Sequence, residues 1–160
     1  MSDPAAERGL RRDTAFDRWG EPGSSPELGE GVRAMLRERL GETEPLPGAA
    51  LEAVDVPGAA TIPAALIEAA GGGSCVSASD EDRIRHSAGS GYPDLIRLRS
   101  GRLDSAPDAV LAPVDDTAVA EVLKVCADER IAVVPFGGGT SVVGGVEPTV
   151  APSIDWSLWI

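Results

Sequence analysis

The stretch from Val133 to Val146, VVPFGGGTSVVGGV, carries five glycines in fourteen positions, two hydroxyls and no lysine. Consecutive glycines remove Cβ atoms and admit positive φ, so successive backbone N–H groups can converge on an anion. The chemistry such a loop offers is binding: a phosphate held by main-chain donors without a cation. From the residues alone, a tight turn or bulge between strands is an equal alternative. Two familiar phosphate loops do not fit. A P-loop needs lysine where Gly145 stands, and a dinucleotide fingerprint begun at Gly137 needs glycine where Val142 stands. The residues that follow, SVVGGVEP, do not open a helix as that fingerprint requires. A phosphate module for some other nucleotide would need a lysine or a following helix, and ranks last.

Other reactive side chains are few. Cys75 and Cys126 are the only cysteines and His86 the only histidine, too small a set for a zinc or iron–sulfur site, so no metal is expected. His86 sits with Arg83 and Arg85 on a polar turn and reads as a surface or interface residue, since nothing around it supplies a nucleophile. Cys126 reads as a small core residue and Cys75 as a semi-buried thiol. No catalytic residue is assigned.

The loop needs elements to hold it, and these become regular from Pro107 onward. DAVLAP reads as a short buried strand. Asp115 and Asp116 offer oxygens to the first N–H groups of a helix. In that helix Val119, Val122, Leu123 and Cys126 form one apolar stripe. IAVVPF follows as a strand whose unbroken apolar run predicts burial on both faces. Strand, helix and strand make a βαβ unit, with the glycine loop at the carboxyl end of its second strand, where open α/β sheets bind ligands.

Upstream the pattern is looser. Residues 1–27 read as an arm packed locally through Trp19. Val32, Met35, Leu36 and Leu40 fall at helical spacing ahead of Gly41. Pro45, Pro47 and Pro57 predict an extended surface linker. A short helix from Pro63 to Ala70 should close on Gly71 to Gly73, which read as a turn. Ser79 with Asp82 has the spacing of a helix N-terminus.

With 26 acidic against 14 basic side chains the net charge is −12, which repels nucleic acid and acidic membrane faces. No apolar run reaches the roughly 20 residues of a membrane span. The chain reads as cytoplasmic with both thiols reduced.

The segment Pro135-Phe136-Gly137-Gly138-Gly139-Thr140-Ser141, behind a βαβ unit opening with Pro107-Asp108-Ala109-Val110, resembles the FAD-binding domain of the vanillyl-alcohol oxidase / p-cresol methylhydroxylase (PCMH) superfamily. Upstream, Trp19-Gly20-x-Pro22, Arg85-His86, Gly91-Tyr92-Pro93-Asp94-Leu95, Arg97-Leu98-Arg99 and Gly101 are similar to the alkyldihydroxyacetonephosphate synthase group of FAD-linked oxidases. The resemblance covers roughly Phe16 to Pro148. It implies an α+β fold in which an N-terminal helical and linker region, 1–103, precedes the first, βαβ part of a PCMH-type FAD-binding domain, 104–160, left incomplete. It also implies FAD as cofactor, with Pro135, Phe136, Gly137, Gly138, Gly139, Thr140 and Ser141 around the pyrophosphate. Gly144 and Gly145 would let the chain pass close to the flavin nucleotide. In such flavoproteins the protein positions the cofactor and the cofactor performs the redox chemistry. Relatives of this kind exchange an acyl group for a fatty alcohol or oxidise 2-hydroxy acids.

One departure is Ser90-Gly91-Tyr92, where the family often has Lys-Ser-Tyr. Another is the ending, TVAPSIDWSLWI, which does not look like the next family strand. Unpaired strands would leave edges and apolar faces exposed, with Trp156, Leu158, Trp159 and Ile160 adding to them. The expectation is therefore a truncated or frameshifted product carrying FAD-binding residues and leaving the substrate unspecified. The alternatives are a non-catalytic α/β fragment that binds no flavin and a piece of a lactate- or glycolate-type FAD oxidase.

Overall fold

The computed structural model describes residues 14–24, 27–42, 44 and 47–148, and the backbone of 157–159. Five helices lie among them: α1 (Glu30–Leu40), α2 (Ala64–Ala69), α3 (Asp80–Arg85), α4 (Tyr92–Arg99) and α5 (Asp116–Glu129). Four short strands, β1 (Val76–Ser77), β2 (Ala109–Leu111), β3 (Ala132–Val134) and β4 (Ser157–Trp159), form one sheet in the order β1-β2-β4-β3. The architecture is α+β, as expected.

The sheet corrects one expectation directly. The C-terminal stretch does supply a strand: β4 lies parallel between β2 and β3, with Val110 opposite Trp159 and Val133 opposite Leu158. The two strands of the βαβ unit are thus not neighbours. A tail without alternation hides this role, because the pairing that makes it a strand comes from segments distant in sequence. The side chains of β4, with Trp156 and Ile160, lie outside the described residues.

Strand β2 is covered on both faces. Ala109 and Leu111 join Leu66, Ala70, Cys75, Val122, Cys126 and Ile131 in the main core, while Val110 turns the other way onto Val134, Phe136 and Val146, the alternation a pleated strand imposes. Burying Leu66 and Val122 completely contributes roughly 1.5–3 kcal/mol each. Strand β3 shows the same two-faced packing through Val133 and Val134. It is the sheet edge and only half-buried, short of the full burial its composition predicts.

Helix α5 begins as predicted, with the Ala118 N–H donating to Asp115 Oδ1 at 2.8 Å. Its buried stripe is Ala118, Val122 and Cys126, while Leu123 stays exposed. The i, i+4, i+8 face carrying alanine was chosen over the one carrying leucine because α2 lies close against it. Helix α1 forms between the expected limits, yet none of its residues is buried. The proline-punctuated linker is more than surface chain: Val54 packs with Ile84, Ala88 and Leu98 in a second core, and the Ala49 N–H bonds the Arg99 carbonyl at 2.9 Å. Helix α2 closes on Gly71 and Gly72, both at positive φ.

Candidate functional site

The glycine loop follows β3 and crosses the sheet's carboxyl end. Gly139 and Gly144 take φ of +63° and +74°, conformations open to glycine. Gly137, Gly138 and Gly145 are different. A Cβ at Gly137 would meet nothing within 4 Å, and those at Gly138 and Gly145 only ordinary contacts at 3.7 and 3.8 Å. Neither packing nor positive φ explains these three glycines. Glycine there leaves the backbone open to close approach by another molecule.

The loop's hydrogen bonding is one-sided. Among the described residues, no backbone N–H from Gly137 to Gly145 donates a hydrogen bond, and neither the Thr140 nor the Ser141 hydroxyl has a partner. The carbonyls are engaged instead: Gly139 accepts from Ser90 Oγ at 2.8 Å, Ser141 from the Ser90 N–H at 2.7 Å, and Gly144 from the Glu147 N–H at 3.1 Å. Pro135, Gly137, Gly138, Thr140, Gly144 and Gly145 are exposed, Phe136 and Ser141 half-buried and Gly139 buried. The nine predicted residues therefore lie on one loop, most of them exposed, whose backbone donors from Gly137 to Gly145 lack partners among the described residues. Such an array can hold an anion and has no group that could act as nucleophile or base.

What sequence reasoning missed is the support beneath the loop. His86 to Gly91, HSAGSG, is buried throughout. His86, expected at the surface, is 4% exposed, with Nδ1 2.7 Å from the Asp82 carbonyl and its ring 4.7 Å from that of Phe136. It packs under the start of the loop. Gly89 touches the loop so closely that a Cβ there would collide with the Ser141 carbonyl. At the far end, Arg97 of α4 pairs with Glu147 and, at 2.5 Å, with Asp94. The hydrogen bonds to Glu147 and then Asp94 hold the guanidinium pKa above its ordinary value. A run of five residues no larger than serine, between two helices, was the available signal, since small side chains mark close backbone approach.

Trp19 is also placed differently from expectation. It is 66% exposed, and its Nε1 donates to the Ser90 carbonyl at 3.1 Å. The arm is anchored instead by half-buried Phe16 in the second core and by Asp17, 2% exposed, which binds Arg18 at 2.8 Å and Arg99 at 3.2 Å. Arg83, read as part of a polar turn, is buried, its Nε donating to the Pro107 carbonyl at 2.7 Å and its Nη2 to that of Pro57. Both cysteines are free and buried, Cys75 more deeply than expected. Desolvation pushes the Cys126 thiol up to about 11.

Comparison with known proteins identifies the unit that carries this loop. Residues 107–157 match the family model described as an FAD binding domain, which makes FAD the cofactor of this unit. The chain is 44% identical over 66 residues to alkyldihydroxyacetonephosphate synthase of Trypanosoma brucei brucei, covering 41% of this chain and 11% of that protein. It is 32% identical over 109 residues to protein Rv2250A of Mycobacterium tuberculosis, covering 61% of this chain and 68% of the other. A solved structure of alkyldihydroxyacetonephosphate synthase superposes with a TM-score of 0.78 at 22% identity, covering 95% of this chain and 32% of that one. The chain thus spans only a small part of the synthases it matches. Among the described residues no helix is long and apolar enough to cross a membrane.

Proposed function

We propose a function from one premise: the chain belongs to the FAD-linked oxidases of the vanillyl-alcohol oxidase / p-cresol methylhydroxylase superfamily, the group that includes alkyldihydroxyacetonephosphate synthase. The function is to bind FAD, with its pyrophosphate against the loop formed by Pro135, Phe136, Gly137, Gly138, Gly139, Thr140, Ser141, Gly144 and Gly145. The observation that carries this reading is the row of undonated amides from Gly137 to Gly145 on an open face, beside glycines that the protein's own packing does not require. Unpartnered donors on an exposed face suit a diphosphate.

The residues divide the work simply. Backbone N–H groups of the loop offer dipoles to the two phosphates, and the Thr140 and Ser141 hydroxyls can add donors. Gly137, Gly138 and Gly145 keep side chains out of the space the diphosphate would fill. Phe136, packed on His86, holds the entry of the loop against the sheet. When bound, FAD supplies two-electron redox chemistry, and the chain's contribution is binding and orientation. In this reading residues 104–160 carry the loop and residues 1–103 supply its support. A cytoplasmic setting is part of it, supported by the two buried free thiols. The reaction served is that of an FAD-linked oxidoreductase or an alkyldihydroxyacetonephosphate synthase-like flavoprotein.

Titration of the purified chain with FAD, followed by flavin fluorescence, tests the proposal. Saturable binding is expected, with loss in Gly138→Asp, which places a carboxylate where the pyrophosphate would lie. Because neutral dipoles and not cations hold the anion on a chain of net charge −12, added salt should leave affinity unchanged or raise it. No binding by the parent, or equal binding by Gly138→Asp, would overturn the assignment.

A further inference from the structure

Ser90 lies 49 residues from Gly139 in sequence and is 5% exposed, yet it engages the glycine loop twice. Its hydroxyl donates to the Gly139 carbonyl at 2.8 Å and its N–H to the Ser141 carbonyl at 2.7 Å. Its own carbonyl accepts from Trp19 Nε1 at 3.1 Å, so the serine is held by the N-terminal arm as well.

The geometry of the peptide bond turns these contacts into a directional device. In a trans peptide the carbonyl of one residue and the N–H of the next lie in one rigid plane and point in opposite directions, and the described chain contains no cis peptide. Capturing the Gly139 carbonyl therefore aims the Thr140 N–H away from Ser90. Capturing the Ser141 carbonyl does the same for the Val142 N–H. Both amides belong to the group that lacks partners, and Thr140 and Val142 are exposed.

We propose that Ser90 is a positioning residue for the phosphate-holding loop, fixing two peptide planes so that the Thr140 and Val142 amides face the bound diphosphate. The inference rests on the FAD reading above and adds a residue that lies outside both the loop and the matched region 107–157. Glycine rotates through many conformations, so a loop of this composition would otherwise lose much of its anion affinity to disorder. Two carbonyls tied inward remove that freedom before the ligand arrives. Gly89 is part of the same device, because only a residue without Cβ lets Ser90 come this close.

The test measures FAD affinity and the Thr140 and Val142 amide NMR shifts in the parent, Ser90→Ala, Gly138→Asp and Leu66→Val. Leu66→Val lowers stability in the core away from the loop and serves as the control for a merely structural effect. Ser90→Ala should weaken FAD about fivefold, the loss expected for one hydrogen bond, and should shrink the Thr140 shift on FAD addition more than that of Val142, whose peptide is still held by the backbone N–H that alanine keeps. Leu66→Val should match the parent in both. If Ser90→Ala binds and shifts like the parent while Gly138→Asp does not bind, the positioning role is overturned and the FAD reading stands. Equal weakening in Leu66→Val also overturns it. If the parent itself does not bind, the FAD reading fails and the positioning role with it. Should Ser90→Ala not fold, Trp19→Phe at the exposed surface loosens the same residue through its carbonyl. About twofold weaker FAD binding is then expected, and unchanged affinity overturns the role.

Discussion

On one face of β2 the main core is built of apolar side chains: Leu66, Ala70, Cys75, Ala109, Leu111, Val122, Cys126 and Ile131. Between Ser79 and Arg99 the buried set also includes Asp82, Arg83, His86, Ser87, Ser90 and Asp94. Both regions exclude water, and they do so by different physics. The first removes hydrocarbon from solvent, an effect without direction that tolerates any residue of suitable volume. The second satisfies each polar group with a particular partner, such as Asp82 accepting from Ser79 Oγ at 2.9 Å or Ser87 Oγ donating to the Ile84 carbonyl at 2.8 Å. Hydrogen bonds have direction, so the polar region can aim the loop, whereas the apolar core can only support it. The loop stands where the two meet, with Phe136 on the apolar side and Ser90 on the polar side.

The largest test of this contrast removes one buried polar anchor. Arg83→Met keeps most of the side-chain volume and leaves the Pro57 and Pro107 carbonyls without their donor. Pro107 is buried and Pro57 exposed, so one buried carbonyl loses a charged donor, and at about 1–3 kcal/mol for an unsatisfied buried group the loss should be near the upper end, about 3 kcal/mol. That is comparable to the roughly 3 kcal/mol expected for Leu66→Ala in the apolar core. Urea unfolding of both variants decides it, and a cost for Arg83→Met far below that of Leu66→Ala would break the comparison.

A middle-sized effect sharpens the apolar side. The Cys126 thiol is raised in the folded protein from its ordinary 9.0 to about 11 by burial. The folded state therefore keeps its proton where the unfolded state has lost it, and stability falls as pH rises from 9.0 towards 11. The loss attributable to this group is on the order of 2 kcal/mol. Cys126→Ala should reduce the alkaline fall in unfolding free energy by that amount, and an unchanged slope would show that the thiol is not desolvated. The smallest effect concerns Leu123, which the apolar pattern places inside and the structure places at the surface. Leu123→Ala should change stability by less than about 0.5 kcal/mol, and a core-sized loss would return the helix to the orientation its sequence suggests.

The legible parts share a cause. The Asp115 cap, the Ser79 cap, the ends of α1 and α2 and the position of the loop after β3 are all set by residues within a few places of one another. Local propensity decides such features. His86 and Arg83 were misread because a polar residue is expected outside until its partners are known, and those partners are backbone carbonyls, 24 residues away in the case of Arg83 and Pro107. The strand at Ser157–Trp159 was missed because nothing in its own pattern distinguishes a segment flanked by two strands from an irregular tail.

The sequence by itself determined where phosphate chemistry could reside. Glycine in consecutive positions is a statement about backbone freedom that holds in any surroundings, and with the flanking motifs it pointed to FAD. It determined as well that no cationic residue within the loop would hold the anion. Tertiary structure alone decided which way the loop's amides face. That depends on Ser90 and Gly89 reaching Gly139 and Ser141 across the fold, and a contact between distant segments is fixed by packing and hydrogen-bond geometry, to which local spacing is blind.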